Sequence, residues 1–214
     1  MIDVVEQPGA GWAVLMVDVQ GSGPAGRRLA GTLMHMTREC LAAGVAPDTT
    51  VCAVHQHLFA VRQGKVGASI HVCIVDAASN SAQVAGLGPL GVASHLKTDW
   101  KVEWFRAPTA GFEHRVDVQV VDFRLLPGYQ LVLANDGITQ PEDGLASLLM
   151  QTEPAGSHIE SARVILNAAI ARASGRPRAD MAVALVSHNP DPTPVGRMLH
   201  AHVSFPVRRA GSSS

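Results

Sequence analysis

The chain has 214 residues, 47% of them hydrophobic, and its 17 Lys and Arg against 18 Asp and Glu leave a formal net charge of −1. That length suits one domain with a large core, and the near-neutral balance, with no dense Lys/Arg stripe, excludes the electrostatic footprint of a nucleic-acid binder. No basic segment followed by an apolar stretch opens the chain, and no apolar run nears the roughly 20 residues that span a bilayer, so a cytoplasmic protein with neither a membrane nor a nucleic-acid partner is expected.

In chain order, Gly11 to Val19 is an apolar run predicted as a strand, and the Gly21-Ser22-Gly23-Pro24 turn behind it puts proline near a helix start. From Ala25 to Ala43, Leu29, Leu33, Met36, Cys40 and Leu41 recur at helical spacing, with Gly44 as a stop. Pro47-Asp48 opens a second helix on which Val51, Val54, Leu58 and Val61 share a face, ending near Gly64. Short β-type runs follow at Ser69–Val75, Gln83–Ala85, Lys101–Phe105, Val116–Phe123 and Gln130–Ala134, separated by Gly, Pro, Asn and Ser. Helical spacing returns over Glu142–Met150 and over Ser157–Ala173, where Ile159, Ala162, Ile165, Ala169 and Ala173 form the apolar stripe, and Met181–Val186 is a last strand. The plan is α+β, with helices packed outside a sheet sandwich. A domain over 1–188 and an irregular Pro- and Ser-containing tail over 189–214 are expected.

Asp18, Asp136 and Asp180 each stand at or beside the end of an apolar run. A carboxylate there must be hydrogen-bonded, protonated or bound to a cation, so three of them suggest a divalent metal centre. Taken singly, each has a plainer reading, since Asp favours helix caps and Asp-Gly is a common turn. His55 and His57, two apart on a helix, point to different sides and make a poor metal pair; His200 and His202 lie in the tail, and His35 and His71 fit core or boundary positions. Cys40, Cys52 and Cys73 show no paired spacing and fit reduced core residues. Arg27 and Arg28 fit a solvated helix face, and Trp12, Trp100, Trp104 and Phe105 fit packing.

Two motifs carry a resemblance. Asp18-Val19-Gln20-Gly21-Ser22-Gly23-Pro24-Ala25 resembles the Asp-x-x-Gly-x-Gly-x-x-Ala turn of bacterial metal-dependent serine/threonine phosphatases, and Leu125 to Ile138 resembles their strand ending in Thr/Ser-Asp-Gly, here Asn135-Asp136-Gly137. The group is the protein phosphatase 2C-like superfamily, in the branch of stage II sporulation protein E and the stress-response phosphatases that act on sigma-factor regulators. The resemblance spans about Asp3 to Val186 and implies an α-β-β-α sandwich of two packed, mainly antiparallel sheets flanked by helix pairs. It implies two Mn²⁺ or Mg²⁺ ions held by Asp18, the carbonyl of Val19 and Asp136, and hydrolysis by metal-bound hydroxide with Asp18 and Asp136 as the catalytic residues. Oxygen-only ligands suit these hard cations. Glycine at 21 and 23 is expected to let the backbone approach the ions closely. The implied substrate is a phosphorylated regulatory protein of the anti-sigma antagonist type.

Two departures from the family pattern stand out. The Gly-Asp pair ahead of the first hairpin has its counterpart at or before the start of the chain, and Asp3 corresponds to the next aspartate of the Gly-Asp-x-x-Asp form. The C-terminal Asp-Asp-x-Thr is replaced by Ala179-Asp180-Met181-Ala182, and residue count puts Ala179 in the ligand position, Asp180 taking it only if the loop after Pro177 shifts by one residue. The departures motivate a second expectation, a catalytically impaired phosphatase-fold domain that regulates a partner by contact. Oligomeric state is left open.

Overall fold

The computed structural model describes residues 1–7, 11–21, 23–76, 78–96, 99–139, 144–151, 158–173 and 179–188, so the tail over 189–214 and the His200/His202 pair lie outside the described residues. A hairpin of β1 (Ile2–Gln7) and β2 (Gly11–Val19) leads into helices α1 (Pro24–Ala42) and α2 (Pro47–Arg62). The strands β3 (Ala68–Asp76), β4 (Ser81–Leu87), β5 (Leu90–Leu96), β6 (Asp99–Phe105), β7 (Gln119–Arg124) and β8 (Gln130–Asn135) follow. The helices α3 (Asp136–Thr139), α4 (Gly144–Gln151) and α5 (His158–Arg172) precede the last strand, β9 (Val183–Ser187).

The strands form a five-stranded sheet in the order β1-β2-β3-β4-β7 and a four-stranded sheet in the order β6-β5-β8-β9, and every pairing is antiparallel. Side chains alternate between the faces of a strand, and this alternation sorts the core into three apolar layers. On β2, Ala13, Leu15 and Val17 join Leu33, Leu41, Val51, Val54 and Leu58 between the first sheet and α1/α2. Val14 and Met16 point the other way and meet Val92, Phe105, Leu131 and Leu133 between the two sheets. Val132 and Ala134 of β8 pack under α3, α4 and α5 with Ile138, Leu145, Leu149 and Ile165. This is the expected α-β-β-α sandwich.

Several local expectations shift. Strands β1 and β5 were not marked by the sequence pattern. In α1 the buried stripe is Ala30, Leu33, Met34, Thr37 and Leu41, with Cys40 only half-buried. Val61, in the last turn of α2, is 54% exposed instead of joining Val51, Val54 and Leu58. Of the three free cysteines only Cys73 is buried. His35 is solvent-exposed on α1 beside Glu39, not at a core or boundary position. His71 is buried between the sheets, where its Nε2 donates to the Gly88 carbonyl at 3.1 Å and its ring meets Phe105 edge-on at 5.8 Å. His55 is buried and its Nδ1 accepts the Gly111 N–H at 3.1 Å, whereas His57 is exposed; they do not form a pair. Among the described residues no helix is long and apolar enough to cross a membrane.

Candidate functional site

The strand alternation that builds the inter-sheet layer also builds its polar end. On β2 the residues facing the second sheet run Val14, Met16 and then Asp18; on β8 they run Leu131, Leu133 and then Asn135. Two apolar stripes thus end in polar side chains at one mouth of the gap between the sheets, where Asn135 Nδ2 donates to Asp18 Oδ2 at 3.0 Å. Val19, the last residue of β2, pairs with Ala68 and turns its side chain toward the helix-side layer. Asp136 is the first residue of α3 instead of the centre of a turn.

Asp180 reaches the same place by way of the β8–β9 ladder. The register pairs Ala134 with Val183, and the main-chain bond from Asn135 N to the Ala182 carbonyl, 3.1 Å, carries it one step further. Continued past the strand ends, this register brings Gly137 opposite Asp180, and a Cβ on Gly137 would collide with the Asp180 carbonyl. Glycine at 137 is therefore required by close approach. Glycines 21 and 23 have a conformational reason of their own: both have positive φ, 115° and 91°, which the turn from β2 into α1 demands, and no protein atom lies within 4 Å of a Cβ at either.

Burial pushes the Asp18 carboxyl above its ordinary value. The Asn135 hydrogen bond opposes this shift and the charge of Asp136 reinforces it; the Met1 amino group and Asp180 act more weakly, again with opposite signs. That amino group donates to the Val17 carbonyl at 2.6 Å. Asp3 faces elsewhere, with Arg38 Nη1 at 3.0 Å from its Oδ2. Asp18 and Asp136 are half-buried and Asp180 is exposed. Among the described residues, no three His, Cys, Asp or Glu side chains converge as a ready-made ligand cluster. The donors at this mouth are oxygens, and a half-buried carboxylate crowded by like charge is stabilised by a hard divalent cation, so the residues present fit Mg²⁺ or Mn²⁺.

The residue missed by sequence reasoning is Asn135, which reads locally as the start of an Asn-Asp-Gly turn. The alternation along Gln130–Asn135, with Leu131 and Leu133 on one face, was the signal that places it on the Asp18 side.

Comparison with known proteins accords with this geometry. The chain resembles a structure of a bacterial serine phosphatase at 13% identity and TM-score 0.70, with 89% of this chain and 92% of that one covered. It resembles the PP2C phosphatase domain, with a fragment of the regulatory domain, of the cell fate determinant SpoIIE from Bacillus subtilis at 16% identity and TM-score 0.78, covering 89% of this chain and 58% of that one. A protein of the bacterial stressosome, a modular system adapted to control secondary messenger signaling, matches at 19% identity and TM-score 0.64, over 86% of this chain and 88% of that one. No curated protein matches the sequence. The family model of Stage II sporulation protein E (SpoIIE) matches residues 8–189, and the chain, with the fold of the bacterial serine/threonine phosphatases, belongs to that family.

Proposed function

We propose that this chain is a metal-dependent protein serine/threonine phosphatase, its catalytic domain spanning about 1–188, which acts in the cytoplasm on a phosphorylated regulatory protein of the anti-sigma antagonist type. The observation that carries the reading is the meeting of Asp18 with Asn135-Asp136 at one mouth of the inter-sheet gap, in a chain of the SpoIIE family. Asp18, the carbonyl of Val19 and Asp136 would hold two Mn²⁺ or Mg²⁺ ions, with Asp180 as a further ligand. When bound, such ions neutralise charge on the transferring phosphoryl group and make a water acidic enough to attack it. Asp18 accepts a hydrogen bond from Asn135 at that end of the site, and the apolar layer behind it excludes bulk water. Cys73 does not fit a nucleophile: it is buried and its thiol is pushed up to about 12, so it offers no thiolate near neutral pH.

Ala179, at the ligand position of the family motif by residue count, motivates the second reading, an impaired phosphatase fold that acts by contact. Calorimetric Mn²⁺ titration of the chain and of Asp18→Asn, coupled to phosphate release from a phosphoserine/phosphothreonine peptide, separates the two. Binding of two ions, with turnover that disappears in Asp18→Asn, is the expected result. Turnover unchanged in Asp18→Asn would sink the assignment, and weak or single-ion binding without turnover would favour the contact reading.

A further inference from the structure

We propose that Asn135 is the positioning residue of this site: its carboxamide fixes the Asp18 carboxylate and ties the chain entering β9 to the end of β8. The inference deepens the phosphatase reading and rests on it for the reaction that is served. Asn135 is 6% exposed and uses nearly all of its hydrogen-bonding capacity. Its Nδ2 donates to Asp18 Oδ2 at 3.0 Å and to the Asp180 carbonyl at 2.7 Å. Its Oδ1 accepts the Ala182 N–H at 2.8 Å, and its own main-chain N–H goes to the Ala182 carbonyl at 3.1 Å. One side chain thereby joins three segments of the chain, separated by 117 residues on one side and 45 on the other.

The partners dictate both the residue type and its orientation. A flipped amide would set its oxygen against the Asp18 carboxylate and the Asp180 carbonyl, and its NH₂ against the Ala182 N–H, so three favourable contacts would become three repulsive ones. Aspartate would supply the acceptor for Ala182 and no donor, and would bring a second carboxylate against Asp18. Serine or threonine has one hydroxyl donor for two acceptors. Leucine would fill similar space and leave the Ala182 N–H and the Asp180 carbonyl, both in part-buried bonds, without this partner. Among these alternatives only a carboxamide serves Asp18, Asp180 and Ala182 together. The consequence for the site is geometric: the plane of the Asp18 carboxylate and the course of the 179–182 segment are set by the same group, so a displacement of one is passed to the other.

The test uses the intact chain and Mn²⁺ alone. Asn135→Ala should weaken Mn²⁺ binding in calorimetry by about 10–100-fold, the usual effect of removing a residue that orients a metal ligand. A purely structural role would lower the melting temperature and leave the Mn²⁺ dissociation constant within about threefold, and that result would overturn the proposal. Should Asn135→Ala fail to fold, or the unmodified chain bind no Mn²⁺, the ¹H–¹⁵N resonances of the Asn135 carboxamide decide the matter without metal. In Asp18→Ala they should move and lose protection from exchange, and if they stay in place the positioning role is refuted. Failure of the unmodified chain to bind Mn²⁺ counts against the phosphatase reading, whereas an unmoved carboxamide counts against Asn135.

Discussion

The burial of His71 predicts a specific loss of stability in mild acid. The imidazole is fully enclosed between the sheets and its protonation is pushed down to about 4, because burial outweighs the support of its hydrogen bond to Gly88. An unfolded histidine titrates near 6.5. Between those values the unfolded chain binds a proton that the folded chain refuses, so stability is complete above about pH 6.5 and falls as the pH drops toward 4. At pH 5 the gap traversed is about 1.5 units, or roughly 2 kcal/mol, equivalent to a fall of about 4–8 °C in melting temperature for a chain of this size. His55 is also held below its ordinary value by burial and adds a loss of the same sign, so the share of His71 must be read by difference. His71→Gln keeps a donor near the position of Nε2 and removes the titration. Urea unfolding followed by tryptophan fluorescence at pH 7.5 and pH 5 should show a pH-dependent loss smaller by roughly 2 kcal/mol in the variant, with unchanged denaturant slope. An identical loss in both proteins would refute the reasoning. The same effect limits any assay of the site: a fall in phosphate release below about pH 5.5 has to be separated from unfolding before it is assigned to a catalytic group.

Two further perturbations test the placement of the site residues. In Gly137→Ala the new Cβ meets the Asp180 carbonyl, a main-chain atom that cannot rotate away; overpacking of this kind costs about 1–3 kcal/mol, and Mn²⁺-dependent phosphate release should fall roughly 100-fold as the 179–182 segment is displaced. Stability and turnover both unchanged would show that the two segments do not touch. Asp3→Asn removes a surface ion pair with Arg38, so thermal melting should report a loss below about 1 kcal/mol and calorimetry an unchanged Mn²⁺ affinity. A lost ion in that variant would place Asp3 at the metals.

The strands that were legible in the sequence were those whose side chains carry the burial signal themselves. Ser69–Val75 and Gln130–Ala134 are rich in branched residues, and both lie in the middle of their sheets. Strand β5 is just as central, yet Leu-Gly-Val-Ala-Ser-His-Leu has little β-propensity of its own; it is held by pairing with β6 and β8 on its two sides. Gly91 lies there because Thr139, Leu145 and Trp104 crowd the space a Cβ would take, a constraint from three distant segments. Strand β1 is an edge strand with only Val5 buried, but so is β7 with only Phe123 buried, and β7 was read; edge position and burial do not separate the two. Helical spacing located α2 but carries its apolar face on to Val61, which the structure leaves 54% exposed.

The metal-binding candidates divide along the same line. Asp18 was legible because a carboxylate after seven residues of apolar strand is anomalous wherever the chain goes next. Asp180 was not, because counting residues from the family motif cannot fix the register of a segment that arrives from another part of the fold. The structure fixes that register through hydrogen bonds made by a residue 47 positions away from Ala182. Asn135 holds Ala182 by a side-chain and a main-chain bond, the β8–β9 ladder continues to Gly137, and the residue that falls opposite Gly137 is Asp180, with Ala179 one place earlier in the chain. Asn135, which stands where the family turn has Thr or Ser, is thus bonded to the segment that follows Ala179.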